Sequence, residues 1–547
     1  MPGSDLVSGF SRTISLTMLL AIASAGCASN PRVNARVLQH PDRRTAMHVL
    51  NRTTFGPRPG DADRVQALGL AAYISEQLHP DAIADPALER RLAALTELGV
   101  SSRAFAADYY LPMVAARQLY SDTQKSTAVV PPRSASLSGE RPPLGWHLQP
   151  IAALSLPGGD KAVTVLQQNS VTPDELRYQR ENQAVLDALL AQKILRAVYS
   201  ERQLQEVLTD FWFNHFNVDA RKIEDRPVMV EYERDVIRPR VLGRFRDLLG
   251  AVAKSPAMLF YLDNWLSTGK GLNENYGREL MELHTLGVDG GYTQADVVNV
   301  ARAFTGWTMK KPHEASGFEF NDKIHDRGAK RVLGHTIKAG GGIDDGEQIL
   351  DLLARHPATA RFIATKLVRR FVSDDPPPAL VERAAKTFLR TDGDLREVMR
   401  TILLSPEFLS PAAYRAKVKS PVEYVASTLR ASRASVTNAR SLAGTIASMG
   451  EPLYQCQPPT GYTDRAAFWM NTGALIGRLN FAQSLAANGA NASTLDVPRA
   501  GDDLGPWAEA VLGGDLSTQT GAVLQPSRAP VSARIGLLLG SPEFQHR

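Results

Sequence analysis

The chain has 547 residues, of which 44% are hydrophobic and 22% charged, so it can bury a large core and its body is not of the disordered class. The net charge of +5 is spread thinly, with no Lys/Arg stripe interleaved with aromatics, which argues against a nucleic-acid partner. Two cysteines, Cys27 and Cys456, are too few for a zinc site built on cysteines.

Residues 1–26 read as a signal peptide: Arg12 supplies a weak positive start, and the apolar run 14–25 is too short to span a bilayer. Two processing routes fit its C-terminal end. Ser24-Ala25-Gly26-Cys27 resembles a relaxed bacterial lipobox, with Ser where Leu is usual, which makes Cys27 the acylated residue and the membrane its anchor. Ala23-Ser24-Ala25 equally satisfies ordinary small-x-small cleavage. Both routes export the chain, to the periplasm or as an outer-membrane lipoprotein. If Cys27 is lipidated, Cys456 has no intramolecular partner.

After a tether at 27–44, residues 45–547 are expected to form one large domain, a mainly α, multi-helix globular body. Helical spacing begins at about Thr45, is punctuated by Pro59-Gly60, and continues to about Tyr120. Residues 121–156 lose that period and are rich in Pro and Ser, which predicts a loop insertion. Helices resume after Thr172-Pro173-Asp174, and in 200–218 Leu204, Val207, Leu208, Phe211 and His215 share one face. Residues 272–308, LNENYGRELMELHTLGVDGGYTQADVVNVARAFTGWT, predict a helical hairpin turning at Gly287 and reopening at a Thr293–Asp296 capping box. One small β-hairpin is expected beyond it, with 318–320 pairing back on 330–333. Gly340-Gly341-Gly342 lacks the Lys-Ser/Thr of a phosphate loop. Further helices are predicted over 347–354, 357–371, 379–389, 395–404, with Asp394 as cap for the last, and over 421–431. A C-terminal subregion, 436–547, holds the non-periodic loop 457–462 and a helix at 471–486. LLSPEF at 403–408 recurs as LLGSPEF at 538–544, each a helix halted at Ser-Pro with a Phe free to fold onto its apolar face.

The candidate chemistry centres on the hairpin. Glu279 and Glu282, one turn apart, can act as an acid and base pair; the plainer alternative is a helix surface with Arg278 paired to Glu274 and Glu282. Asn275 lies on the same stripe, whereas His284 falls about 160° around the helix from Glu282, so one helix cannot bring both to one ion and no metal site is predicted. His215, flanked by Asn214 and Asn217, is a candidate catalytic base or else a core histidine satisfied by a carbonyl. His325-Asp326 is a candidate binding pair or an Asp turn beside a His, and Trp307 either stacks a ligand or fills the core. There is no GxSxG elbow, Cys456 has no activating neighbour, and no cofactor is implied.

The 272–308 stretch, with FWFNHFNV before it and IHDRGAKRVLGHTI after it, resembles the bacterial family called domain of unknown function 1800. HVLNRTTFGPRPGD, HPATARFIATKLVRRFVSDDPPP, QPPTGY and LLLGSPEFQHR extend the resemblance over nearly the whole mature chain. It implies export, a largely helical body and a co-encoded exported partner, and carries over no activity. The expected role is therefore an exported, lipid-anchored envelope protein acting as a binding or assembly component. The alternative is an acid/base hydrolase or lyase acting on an envelope or extracellular polymer, using Glu279, Glu282 and His215.

Overall fold

A computed structural model describes residues 33–127, 171–222, 226–310, 317–487, 497–498, 503–525 and 529–547. The signal segment, Cys27 and most of the 121–156 insertion lie outside the described residues. Helices dominate, joined by two small antiparallel sheets, which makes the protein mainly α. Order begins inside the stretch read as a tether, because Asn34 caps a short helix, Ala35–Gln39, and Asp42 caps Arg43–Thr53. The Leu111–Thr127 helix runs past Tyr120 into the expected insertion; Ser121 to Thr127 contain neither Gly nor Pro to stop it. No helix of the described residues is long and apolar enough to cross a membrane.

In the central hairpin, Asn275–Glu279 is α-helical, but Leu280–Thr285 widens into a π-helix. The Leu286 amide bonds the Met281 carbonyl at 2.8 Å, five residues back, and the Thr285 hydroxyl bonds the Leu280 carbonyl at 2.6 Å. A projection at a uniform 100° per residue therefore drifts after Glu279. His284 and Leu286 are buried with Leu280 and Met281. Gly287 takes φ +82° at the helix end, and the Thr293–Asp296 capping box forms on Gln294–Ala303.

The strands pair differently from expectation. β1, Trp307–Met309, pairs with β2, Phe318–Phe320, while β3, Lys330–Val332, pairs with β4, His335–Ile337. Leu333 and Gly334, both at positive φ, make the tight turn that commits β3 to its own hairpin and leaves β2 to the strand before it.

One apolar cluster reaches from Ala46 to Phe544. At its centre the Pro421–Ala431 helix is buried along its whole length. The repeated Ser-Pro-Glu-Phe segments work alike: Ser405 and Ser541 each accept the amide of the Phe three residues on, and Phe408 and Phe544 are buried. Against this core lie Gln203–His215, Pro357–Phe371 and the loop 456–464, three of the pieces that line a cavity.

Candidate active site

The cavity, about 340 Å³, brings together three stretches noted separately in the sequence: 211–218, the helix at 357–371, and the loop at 457–462. His215 ends the apolar face of its helix, with its ring 4.4 Å from that of Phe216 and 5.4 Å from that of Trp212. Its Nε2 lies 3.2 Å from the His284 carbonyl. A carbonyl only accepts, so Nε2 carries the proton and Nδ1 keeps its lone pair. That lone pair receives a hydrogen bond from Lys366, whose Nζ is 2.9 Å away. Burial, then the Lys366 charge, hold His215 well below the ordinary histidine pKa, so it is neutral. Burial also brings Lys366 down to about 8, Arg369 adding to the effect and Asp464 opposing it. Among the described residues, no carboxylate pairs with Lys366.

The asparagines flanking His215 hold the loop. Asn214 donates to the Tyr462 carbonyl at 2.8 Å and accepts its amide at 2.7 Å, while Asn217 donates to the carbonyls of Cys456 and Pro458. Gly461 sits at φ +70°, and a Cβ there would stand 2.2 Å from the Asn214 carbonyl oxygen, so only glycine fits. Glu451 also lines the cavity; burial, with Asp210 adding, raises its pKa to about 8, so it holds its proton at neutral pH. Its Oε2 accepts the Val422 amide at 2.8 Å. Burial pushes the Cys456 thiol up to about 11, which leaves it inert.

An ionic cluster adjoins the cavity. Arg370 and Arg547 meet Glu423 at 2.7 and 3.2 Å, and Lys417 pairs with Asp374 and Asp464. Burial would raise Asp464, but Lys417, Arg370 and Arg547 together bring it down to about 2.

The residues proposed from sequence do not all converge here. From the π segment only Leu283 lines the cavity; Glu279 and Glu282 do not. Both are half-buried, and Glu279 is raised by burial and the Glu282 charge, with Arg278 opposing. Arg278 pairs with Glu274 at 3.3 Å and donates to Gln294 at 3.0 Å, while Asn275, exposed, donates to the Leu262 carbonyl at 3.3 Å. His284 is buried, with its ring 6.3 Å from that of His215, and burial takes its pKa to about 3. His284 thus contributes its carbonyl, which fixes the His215 tautomer.

His325 and Asp326 turn to different partners. His325 Nδ1 donates to the Thr305 carbonyl at 2.7 Å, and Nε2 lies 3.2 Å from Asp345, which also holds the buried Lys330 at 2.7 Å. Asp326 instead makes a two-bond contact with Arg302 at 2.9 and 3.0 Å. Trp307 is fully buried between Phe304, Phe318 and Gly346, a core position rather than a stacking platform. The described residues contain no group of three or more His, Cys, Asp or Glu able to hold a metal ion.

Sequence reasoning missed Lys366 and Glu451. The one signal for Lys366 was that its helix, with KLVRRF, sat like the loop QPPTGY in a stretch with family resemblance. Together these features define a mainly α-helical protein with a polar cavity between helices and a buried histidine–lysine contact on its wall. The family described as "Protein of unknown function (DUF1800)" matches residues 48–546, and the chain belongs to it. No curated protein and no solved structure matches.

Proposed function

We propose that the protein is an exported acid/base enzyme, a hydrolase or lyase acting on an envelope or extracellular polymer, with its active site in the His215–Lys366 cavity. The observation that carries this reading is the 2.9 Å contact between Lys366 Nζ and His215 Nδ1, in a cavity where Lys366 has no carboxylate partner among the described residues. A lysine titrating at about 8 can give or take a proton near neutral pH. Lys366 meets the substrate as the ammonium ion, oriented by neutral His215, which accepts one of its hydrogen bonds; it gives a proton to the leaving group and recovers one from the attacking water. Glu451, still protonated, is a second acid of the same cavity. Export and lipid attachment rest on residues 1–27.

A second reading is the binding or assembly component, with the co-encoded exported protein as partner. It is favoured by Phe468, Met470, Ile476, Leu479 and Leu537, large apolar side chains left exposed on 468–479 and on the Val531–Leu539 helix packed beside it.

The test is to incubate the purified protein, with and without its partner, with cell-wall and extracellular polymers and follow product release. Release by the wild type that is lost in Lys366→Met and Glu451→Gln supports the enzyme. Release that survives both substitutions, or saturable binding with no product from any polymer, refutes it. Labelled palmitate incorporated by the wild type and absent from Cys27→Ser would establish the anchor; equal labelling of the two would reject it.

A further inference from the structure

We infer that the ligand of this cavity carries an anionic group, a carboxylate, sulfate ester or phosphate ester, seated between Lys366 and Arg369. The inference rests on the reading that the cavity is the functional site. It starts from the Pro357–Phe371 helix, where Phe362, Lys366, Arg369 and Arg370 are spaced to share one face, and all four line the cavity. Whether such a face draws in a ligand depends on how its charges are already satisfied.

Two of the four lining cations are satisfied internally. Lys193 pairs with Asp210 at 2.6 Å, and Arg370 pairs with Glu423 at 2.7 Å. Lys366 and Arg369 form no ion pair among the described residues. The carboxylates nearest Arg369 are engaged elsewhere: Asp374 and Asp464 by Lys417, and Asp375 by Arg465 at 3.6 Å. Arg369 Nε reaches only the Asp374 carbonyl, at 3.3 Å. Of the three ammonium donors of Lys366, one is used on His215 Nδ1.

Glu451, holding its proton, does not offset this excess. Two uncompensated cations beside a concave wall favour a ligand that supplies the missing negative charge. Tyr462 and Trp469, whose rings lie 5.8 Å apart, also line the cavity and give it an aromatic patch. That combination suits an acidic sugar: a ring against aromatic faces and a charged substituent against the cations.

The test compares sugars that differ chiefly in charge. Glucose, glucuronate, glucose 6-sulfate and glucose 6-phosphate are titrated calorimetrically into the purified full-length protein, its Lys366→Met and Arg369→Met variants, and the charge-keeping Lys366→Arg and Arg369→Lys variants. Arg361→Met, on the exposed side of the same helix, is the control. At least one charged sugar is expected to bind ten-fold or more tightly than glucose; which one identifies the anion. Each Met variant should lose ten-fold or more, with Arg361→Met unchanged and at least one charge-keeping variant within a few-fold of wild type. The inference is overturned if glucose binds as well as the acids, if no sugar binds, or if binding is indifferent to both Met substitutions. Should a Met variant fail to fold, the glucose comparison still decides. Processing of a neutral polymer that requires Lys366, with no preference for charged sugars, sinks this inference alone. Charged-sugar binding at Lys366 and Arg369 without processing of any polymer sinks the enzyme reading and leaves this one standing.

Discussion

If Lys366 titrates at about 8, then at pH 8 about half of it is a free amine, whereas a lysine at the ordinary value near 10.5 is free to only about 0.3%. With a limiting amount of an amine acylating reagent, Lys366 should therefore react on the order of 100-fold faster per exposed amine, less whatever the cavity mouth takes from access. Lys419 is the internal control, because burial lowers it further, to about 7, yet it is enclosed against Ser427 at 2.8 Å and the Phe544 ring. A low pKa without access predicts no labelling of Lys419 in the folded protein. The assay is brief acylation of native protein, then isotopic acylation of the denatured chain and peptide mass spectrometry. Lys366 should lead the exposed Lys270 and Lys338 by at least ten-fold, and its rate should level off above pH 8. Labelling of Lys366 no faster than those two, or with no plateau, would refute the account of its environment.

Glu451→Gln should change how stability depends on pH. The folded-state pKa of Glu451, about 8, lies above its unfolded value near 4.5, so its contribution is fully present below about 4.5 and is lost as pH rises through 8. The wild type should thus lose roughly 1.4 kcal/mol per pH unit relative to Glu451→Gln across that window, read from urea melts at pH 5 and pH 8. A difference independent of pH would contradict this. Asp345→Asn removes the nearer carboxylate of the buried Lys330, leaving Asp326 at 3.8 Å, and should cost about 3 kcal/mol, most of it recovered in the double variant with Lys330→Met; a loss under about 1 kcal/mol would show that Asp326 alone compensates Lys330. Gly461→Ala forces a Cβ against the Asn214 carbonyl and should abolish cavity binding while lowering the melting temperature only modestly. Unchanged binding would mean that the loop does not shape the site.

The caps were legible because each is a local event. Thr293 with Asp296, Gly287 and Asp394 each act within a few residues of where they stand. The π-helix at 280–285 was hidden because a shift to backbone bonds five residues back, as from the Leu286 amide to the Met281 carbonyl, leaves no mark on hydrophobic periodicity. The cavity was hidden for a different reason. His215 and Lys366 are 151 residues apart, and a helix carrying Lys366, Arg369 and Arg370 reads as a solvated cationic face until packing turns it inward. The tautomer of His215 is set by a backbone carbonyl, which no side-chain pattern announces. His325 was a reasonable candidate on its neighbour Asp326, but its partner is Asp345, twenty residues further on.

The asparagine clamp also bears on how the chain matures. Asn214 and Asn217 bind a loop about 240 residues downstream, and beside the cavity Lys417 and Arg547 exchange backbone hydrogen bonds, Arg547 N to Lys417 O at 2.8 Å. A chain emerging from its N-terminal side therefore carries Gln203–His215 long before anything exists to close over it. Such distant closures make folding slow, and until then Phe213, which packs on Tyr454 and lines the cavity, remains open to wrong partners. No fragment ending before Tyr462 has this cavity, and nascent chains would need shielding until that loop is made.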